Sequence, residues 1–154
     1  MAQLVVNDGI ASSAPDTATI STLNSKPVAH AGPDQSGVVG ATIYLDGSAS
    51  SDVDGDALIY QWSFVSIPAG STATLADATT VAPSFIIDKP GMYIVQLIVQ
   101  DGTVDSTLAT TTVSTLNSKP VANAGADQSA PVGTTITLDG SGSSDVDGDV
   151  LTYF

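Results

Sequence analysis

The sequence Ser-Ser-Asp-Val-Asp-Gly-Asp occurs twice in the chain, at Ser50–Asp56 and again at Ser143–Asp149. Each copy places three aspartates at alternate positions beside a glycine, which is typical of a tight turn. Such a cluster of carboxylates is hydrated, repelled open or neutralised by a cation. Calcium, which takes roughly six to eight oxygen ligands, suits it better than magnesium, and zinc would require His or Cys nearby. The alternative is that these aspartates only cap a solvated turn.

The two copies lie 93 residues apart, and the same spacing relates other segments of the chain. Gln3–Gly9 returns as Gln96–Gly102, and Leu23–Ala29 returns as Leu116–Ala122. A period of this length corresponds to a whole domain. The turn residues and proline that follow Leu23 mark its boundary. We therefore expect a piece of a longer tandem array, with the C-terminal strands of a preceding repeat at 1–23, one complete repeat at 24–116 and the N-terminal strands of a following repeat at 117–154.

The composition limits the possible partners. All 16 acidic residues are Asp, the three basic residues are Lys, and the formal net charge is −13. We therefore expect no binding to nucleic acid phosphates and no attraction to an anionic membrane surface. No apolar run approaches the roughly 20 residues of a membrane span, so direct membrane insertion is not expected either. The chain has no Cys, which excludes a disulfide framework.

Alternating apolar residues predict the elements that position the aspartates. In Leu58–Val65 the residues Leu58, Tyr60, Trp62 and Phe64 share one face, as do Tyr93, Val95, Leu97 and Val99 in Met92–Gln100. The other predicted strands are Val28–Ala31, Gln35–Val38, Thr42–Leu45, Thr72–Leu75, Ser84–Ile87 and Ser106–Ser114. Short strands with turn signals every 8 to 12 residues or so indicate an all-β fold, an antiparallel β-sandwich.

Four segments, in order, resemble a PKD-type repeat: Asn24–Ala29, Leu45–Asp56, Tyr60–Trp62 and Val99–Gly102. The resemblance covers the complete repeat and both partial ones. It implies an immunoglobulin-like β-sandwich and an extracellular setting, on a bacterial cell surface or secreted. Bacterial PKD repeats occur in tandem in large surface adhesins and beside the catalytic domains of secreted hydrolases. The Gly-Asp-Gly that often follows the family's tryptophan is replaced here by Val65–Gly70, which favours the adhesin-like variants.

The similarity to calcium-binding PKD repeats also implies a ligand set for Ca²⁺. In this topology the start of the first strand, the aspartate run and the loop between the last two strands meet at one end of the sandwich. The implied ligands in the complete repeat are Asn24, Ser25, Asp52, Asp54 and Asp101, with Asp56 as either a ligand or a strand cap. Those in the partial repeats are Asn117, Ser118, Asp145, Asp147, Asp149 and Asp8. The run is not an EF-hand loop, because Gly55 is its fourth residue rather than its sixth.

The partners that we expect are the neighbouring repeats of the same chain. The linker between repeats is only about four residues long, so a cation bound there would stiffen the joint. We also expect head-to-tail self-association, in which the leading hairpin of one molecule docks on the trailing strands of a neighbour. Asp8 would then complete a metal site with Asp145 and Asp147 across chains.

No motif in the sequence indicates catalysis, and we predict that the chain is not an enzyme. The single histidine, His30, returns as Asn123, and Trp62 is assigned to the core rather than to a sugar-stacking platform. We predict a calcium-stabilised structural extender repeat of a large bacterial cell-surface adhesin, which projects a distal binding domain. The alternatives are a spacer or polysaccharide-binding accessory module of a secreted hydrolase, and a strand-exchanging subunit of an extracellular filament.

Overall fold

A computed structural model describes all 154 residues of the chain as an all-β structure. The eight strands are β1 (Ala2–Leu4), β2 (Asp16–Ala18), β3 (Gln35–Gly37), β4 (Thr42–Tyr44), β5 (Ile59–Ser66), β6 (Ser84–Ile86), β7 (Met92–Gln100) and β8 (Ala109–Thr115). We call residues 1–23 the leading unit, 24–116 the complete repeat and 117–154 the trailing unit. The chain has no helix of the length and hydropathy that crossing a membrane requires.

The complete repeat is a sandwich of two sheets. One sheet has four strands in the order β3-β8-β7-β5, and the other pairs β4 with β6. All neighbours are antiparallel except β3 and β8, which run parallel. This arrangement confirms the predicted immunoglobulin-like β-sandwich.

The core lies between these two sheets and follows the predicted alternation. Along β7 the side chains of Tyr93, Val95, Leu97 and Val99 are fully buried, and Trp62 on β5 is 3% exposed. The opposite sheet contributes Ile43 and Phe85, among others. The aromatic rings of Phe64, Phe85 and Tyr93 pack together, with centroids 5.1 to 6.2 Å apart. The face predicted for each long strand is therefore confirmed.

The leading unit repeats the geometry of the last hairpin of the complete repeat. In the leading unit Leu4 pairs with Asp16, and in the complete repeat Leu97 pairs with Ala109. Each of these residues lies 93 positions from its counterpart. The internal repeat of the sequence thus produces the same strand register twice.

Three of the predicted strands or sets of strands do not form. In Val28–Ala31 only Val28 forms isolated bridges, and no strand results. Thr72–Leu75 is not a strand, because the Thr72 N–H donates to the Asp88 carboxylate (2.6 Å) instead of to a neighbouring strand. The trailing unit contains no strand and only one bridge, between Val121 and Ser144. In the complete repeat β3 pairs with β8 and β4 pairs with β6, and no strand lies beside the trailing unit to offer such partners.

Asp88 fastens the loop that replaces the predicted strand to the core. Its carboxylate accepts hydrogen bonds from Ser71 Oγ (2.6 Å), Thr72 N (2.6 Å) and Tyr93 Oη (2.9 Å). The Ser71 hydroxyl, followed by the Thr72 N–H, holds the pKa of Asp88 well below its usual range. The folded state therefore binds a proton at Asp88 less readily than the unfolded state does. This contribution to stability is fully present above the unfolded pKa of 3.8 and is lost as the pH falls towards the folded value.

We expect the melting temperature to fall as the pH is lowered below about 4, where the unfolded state takes up protons. Asp88→Asn should lower the melting temperature at neutral pH and flatten this acid dependence. Melting curves over a pH series in calcium-free buffer measure both effects. Asp77→Asn is the matched control, because the Asp77 side chain accepts no hydrogen bond and Asn tolerates its positive φ of 56°. An Asp88→Asn variant with the acid slope of the wild type would contradict the expectation.

Candidate metal centre

The backbone at Val28 brings three separate pieces of the chain together. Val28 bridges Ser51 in antiparallel fashion and Thr107 in parallel fashion. The aspartate loop begins directly after Ser51, and Thr107 closes the loop that follows β7. Asn24 and Ser25 lie a few residues before Val28 and therefore reach both loops. The expectation that these pieces meet at one end of the sandwich agrees with this geometry.

The aspartate loop Asp52–Asp56 is both a capped turn and a cluster of carboxylates. Asp52 Oδ1 accepts hydrogen bonds from the backbone N–H groups of Asp54 (2.8 Å) and Asp56 (3.4 Å). Gly55 has φ 84°, a conformation that side chains disfavour. Carboxylate oxygens of Asp52, Asp54 and Asp56 lie within 4.8 Å of one another. The turn geometry and the oxygen cluster are therefore consequences of one local structure.

Three oxygen atoms at these sites are buried without any hydrogen-bond partner: Asp52 Oδ2, Ser118 Oγ and Asp147 Oδ1. They are the only such side-chain atoms in the chain. Burying a polar atom without a partner costs free energy, and burying part of a carboxylate costs more. A hard cation bound at each of the two sites would remove that cost, because oxygens of this kind are its preferred ligands. The residues present therefore fit Ca²⁺.

The second copy of the site is built in the same way. Ser25 N donates to Asp54 Oδ2, and Ser118 N donates to Asp147 Oδ2. Asp145 Oδ1 accepts from the N–H groups of Asp147 (2.8 Å) and Asp149 (3.4 Å). The three carboxylates of the second copy do not come as close together as those of the first. The loop is thus formed by local hydrogen bonds, while the tight cluster occurs only in the complete repeat.

Asp101 lies outside the close cluster and positions Asn24. Its Oδ1 accepts hydrogen bonds from the N–H groups of Thr103 (2.7 Å) and Val104 (2.8 Å), and its Oδ2 accepts from Asn24 Nδ2 (2.8 Å). The amide of Asn24, followed by the Val104 N–H, lowers the pKa of Asp101 to about 2. Both carboxylate oxygens are therefore already hydrogen bonded, and Asp101 is not a member of the close cluster. The Asn24 amide uses its Nδ2 in both of its hydrogen bonds, and its Oδ1 accepts none.

The sequence-derived set is thus distributed over three places. The structure brings together Asn24, Ser25, Asp52, Asp54, Asp56 and Asp101 at one end of the complete repeat. It joins Ser118, Asp145, Asp147 and Asp149 in the second copy, with Asn117 adjacent. Asp8 lies apart in the leading unit, where its carboxylate accepts only from Ile10 N (2.9 Å) and Ala11 N (2.8 Å). Sequence reasoning missed the backbone donors of Thr103 and Val104, although an Asp-Gly pair after a strand is a signal for such a turn.

His30 stands beside this site and has a structural role. Its Nδ1 accepts a hydrogen bond from the N–H of Gly32 (3.2 Å), which has φ 76°. In the trailing unit Asn123 Oδ1 accepts from the N–H of Gly125 (2.9 Å), which has φ 83°. Imidazole nitrogen and amide oxygen therefore serve as interchangeable acceptors for one turn.

We expect His30→Asn to leave the melting temperature unchanged, because the acceptor is kept. His30→Ala should cost about 0.5–1.5 kcal/mol, the usual net value of one hydrogen bond. Urea unfolding of both variants beside the wild type measures the difference. Equal stability of the Ala and Asn variants would show that the acceptor contributes nothing.

The comparisons with known proteins agree with this architecture. One similar solved structure is that of a nucleoside hydrolase-related hypothetical protein from Saccharophagus degradans that is associated with carbohydrate metabolism. It is 20% identical to this chain, with a TM-score of 0.53. The match covers 60% of this chain and 26% of that protein, so this chain spans about a quarter of its relative. At this identity the likeness concerns the fold alone.

Two further structures are more distant in shape. The PKD domain from the KIAA 1837 protein is 26% identical with a TM-score of 0.49, over 62% of this chain and 91% of that domain. Human protocadherin-24 EC1-2 is 18% identical with a TM-score of 0.44, over 75% of this chain and 59% of that protein. No curated protein sequence matches the chain. Residues 24–115, which are more than half of the chain and include the whole candidate site of the complete repeat, match the PKD domain family. The chain therefore belongs to the PKD domain family.

Proposed function

We propose that the chain is a calcium-stabilised structural extender repeat of a large bacterial cell-surface adhesin, where it holds a distal binding domain away from the cell. PKD domains are generally non-catalytic modules and are typically extracellular. The main support for calcium binding is the set of three buried oxygen atoms that have no hydrogen-bond partner. All three belong to the two copies of the aspartate site.

In the complete repeat Asp52, Asp54 and Asp56 would hold the ion, with Asn24 directed towards it by Asp101. The ion would supply positive charge to a cluster whose carboxylates otherwise repel one another. It performs no chemistry on a substrate. Asn117, Ser118, Asp145, Asp147 and Asp149 would do the same in the trailing unit, with Asp8 as a further carboxylate from the leading unit of another copy.

The position of each site supports a mechanical role. β8 ends at Thr115, so Asn117 and Ser118 are part of the connection between one unit and the next. The hydrogen bond from Ser118 N to Asp147 ties this connection to the loop of the following unit. A bound ion fastens it more strongly, because charge-assisted contacts replace a flexible joint. A tandem array with such joints is a rod, to which each repeat adds somewhat more than the roughly 30 Å of a nine-residue strand.

The test is calcium binding and its effect on shape. We expect isothermal titration calorimetry to show saturable calcium binding by the wild type and strongly reduced binding by Asp52→Asn, with Asp77→Asn as the control. Small-angle scattering should show a longer and stiffer particle with calcium than with EDTA. No binding heat together with identical scattering profiles would refute the proposal. Polysaccharide retained by the chain in a pull-down would instead favour the accessory-module alternative.

A further inference from the structure

Residues 72–76, which we call the strap, run beside β6 without forming a third strand of the two-stranded sheet. The end of the strap already pairs with the start of β6, because Ala76 N donates to Ser84 O (2.8 Å) and Ser84 N donates to Ala76 O (3.2 Å). In an antiparallel hairpin the next hydrogen-bonded pair lies two residues further along each strand, which is Thr74 with Ile86. That pair is not made.

The backbone groups that would make this pair have no partner in the protein. Ile87 N donates to Ala41 O (2.9 Å), so the backbone of Ile87 faces the β4 side of β6. Successive residues of a strand direct their N–H and C=O groups to opposite sides, so those of Ile86 point away from β4 and towards the strap. The N–H and C=O of Thr74 also form no backbone hydrogen bond. Two unpaired backbone segments therefore lie side by side.

A groove of ≈ 500 Å³ separates them, with the strap as one wall and β6 as the other. The two walls are hydrogen bonded to each other at Ala76 and Ser84, which closes one end of the groove. Asp88 lies at the other end, directly opposite Thr72 in the same register. What holds the walls apart is therefore to be found at Asp88.

The Asp88 side chain occupies the place of a backbone pair. In the register of the hairpin, Thr72 N would donate to the backbone carbonyl of Asp88. It donates instead to Asp88 Oδ2 (2.6 Å), while the hydroxyls of Thr72 (3.1 Å) and Ser71 (2.6 Å) also donate to the carboxylate. The side chain thus spaces the strap from β6 by its own length. Hydrogen bonds to a charged acceptor are roughly twice as strong as neutral ones, which makes this tethered arrangement the more stable one.

The strap nevertheless has the side-chain pattern of a strand. Ala73 and Leu75 are half-buried against the core, whereas Thr72 and Thr74 are exposed. Pairing would leave every side chain on its present face, because Ile86, the partner of Thr74, is itself 57% exposed. The hairpin is already closed by its first pair, so further pairing adds no cost of loop closure. Closing therefore requires only that the strap move towards β6.

We propose that the strap is a two-state element, which closes on β6 when the Asp88 carboxylate releases it. In the open state the carboxylate tethers the strap and the groove is present. In the closed state Thr74 pairs with Ile86, Thr72 pairs with the backbone of Asp88, and the small sheet gains a third strand. β7 begins four residues after Asp88 and ends directly before Asp101, so its nine residues, about 30 Å, separate the strap from the candidate metal centre. The element therefore works without calcium and goes beyond the proposed function.

NMR of the 154-residue chain in EDTA tests the proposal. Asp88→Ala removes the spacer, and we expect the Thr74 and Ile86 amides to exchange at least about fivefold more slowly than in the wild type, because they become hydrogen bonded. An NOE between the Hα atoms of Ala73 and Ile87 should appear, since pairing brings these two Cα atoms to about 4.5 Å. Asp88→Asn is the matched control. Its amide has the same length and still accepts from Thr72 N, so the strap should stay open.

A pair of introduced cysteines measures the closed state independently, because the chain has no Cys of its own. Thr74→Cys with Ile86→Cys places two thiols at exposed positions, whose Cα atoms lie about 5.5 Å apart in the closed state, within the range of a disulfide. With oxidised glutathione the disulfide should form faster in the Asp88→Ala background than with Asp88 present. Ser71→Ala weakens the tether without changing Asp88 and should also accelerate it, which keeps the test valid if Asp88→Ala does not fold.

Trp62 fluorescence reports whether each variant is folded. A folded Asp88→Ala chain with unchanged amide exchange and no NOE between Ala73 and Ile87 overturns the proposal. A disulfide that forms at one rate in the wild-type, Ser71→Ala and Asp88→Ala backgrounds does so as well. A strap that is closed in Asp88→Asn would also overturn it, because a side chain of unchanged length would then fail to keep the groove open.

Discussion

Replacement of Trp62 by Ala is expected to cost about 3–5 kcal/mol of unfolding free energy, as large-to-small substitutions of buried aromatic residues do. The side chain is 3% exposed, and its Nε1 donates to the Thr80 carbonyl oxygen (3.1 Å). A Cβ at Gly47 would lie 3.1 Å from its ring, so the ring packs closely against this glycine. Because domains of this size are stable by about 5–15 kcal/mol, the loss is a large part of the total. Urea unfolding measures it.

The same substitution separates a core role for the tryptophan from a sugar-binding one. Tyr44→Ala is the control, because Tyr44 is 69% exposed and its loss should change stability little. The loss of unfolding free energy in Trp62→Phe should lie between those of Trp62→Ala and Tyr44→Ala, since Phe keeps an aromatic ring and loses the hydrogen bond to Thr80. A Trp62→Ala variant of unchanged stability that no longer binds a polysaccharide retained by the wild type would refute the core assignment.

The strands of the sandwich were predictable where the local sequence pattern shows which side chains are buried. In β7 the alternate residues Tyr93, Val95, Leu97 and Val99 are all apolar, whereas Gln96 and Gln100 interrupt the other face, so the sequence indicates which face is core. Thr72–Leu75 alternates too, yet its backbone partner is the carboxylate of Asp88, 16 residues from Thr72. Which group satisfies a backbone N–H depends on the tertiary structure, and no local pattern states it.

The trailing unit also shows that strand formation depends on tertiary structure. Its sequence repeats that of β3 and β4 closely, including Gln128, which donates to the Thr137 carbonyl (3.0 Å) as Gln35 donates to that of Tyr44 (2.9 Å). The turn is therefore reproduced by local interactions. Strands need a neighbouring strand for their hydrogen bonds, and two-stranded pieces are marginal in water. Strand propensity thus predicts what the segment would form beside a partner.

At the candidate metal centre the repeat identified the residues but not their separate roles. Two copies 93 residues apart indicated that the aspartate run is a unit. That Asp101 is already hydrogen bonded to Asn24 and two backbone N–H groups, while Asp52 Oδ2 is buried and unpartnered, depends on distances between loops. The structure therefore divides one predicted ligand set into an inner cluster and a residue that positions Asn24.

Calcium is expected to raise the melting temperature of the wild type, because the proposed site exists in the folded chain and not in the unfolded one. At a free concentration one hundred times the Kd, the linkage amounts to about 2.7 kcal/mol. For a domain of this length, that corresponds to an increase of about 10 °C or more. Melting curves recorded with calcium and with EDTA measure the change. Superimposable curves would contradict both the calcium site and the stiffened joint that rests on it.

Asp52→Asn gives a stricter test, because the substitution should change the melting temperature in opposite directions with and without the ion. Asn can still accept from the N–H groups of Asp54 and Asp56 through Oδ1, while its amide removes one charge from three crowded carboxylates. In EDTA the variant should therefore melt at or above the wild-type temperature. In calcium it should melt below the wild type, because it has lost a ligand. Asp77→Asn should follow the wild type in both buffers.

In EDTA Asp52→Asn should melt at or above the wild-type temperature, and in calcium it should melt below it. This reversal distinguishes ion binding from simple screening of a chain with net charge −13. Screening by any salt weakens the repulsion among exposed charges. It would raise the melting temperatures of the wild type and of Asp77→Asn alike, without any need for calcium. Magnesium at the same concentration is the sharper control, since it requires a strict octahedron at shorter distances and retains its waters. A site built from loop carboxylates, which do not impose a strict octahedron, should respond to calcium much more than to magnesium. An equal response to both ions would assign the stabilisation to screening and leave the aspartate loop as a solvated turn.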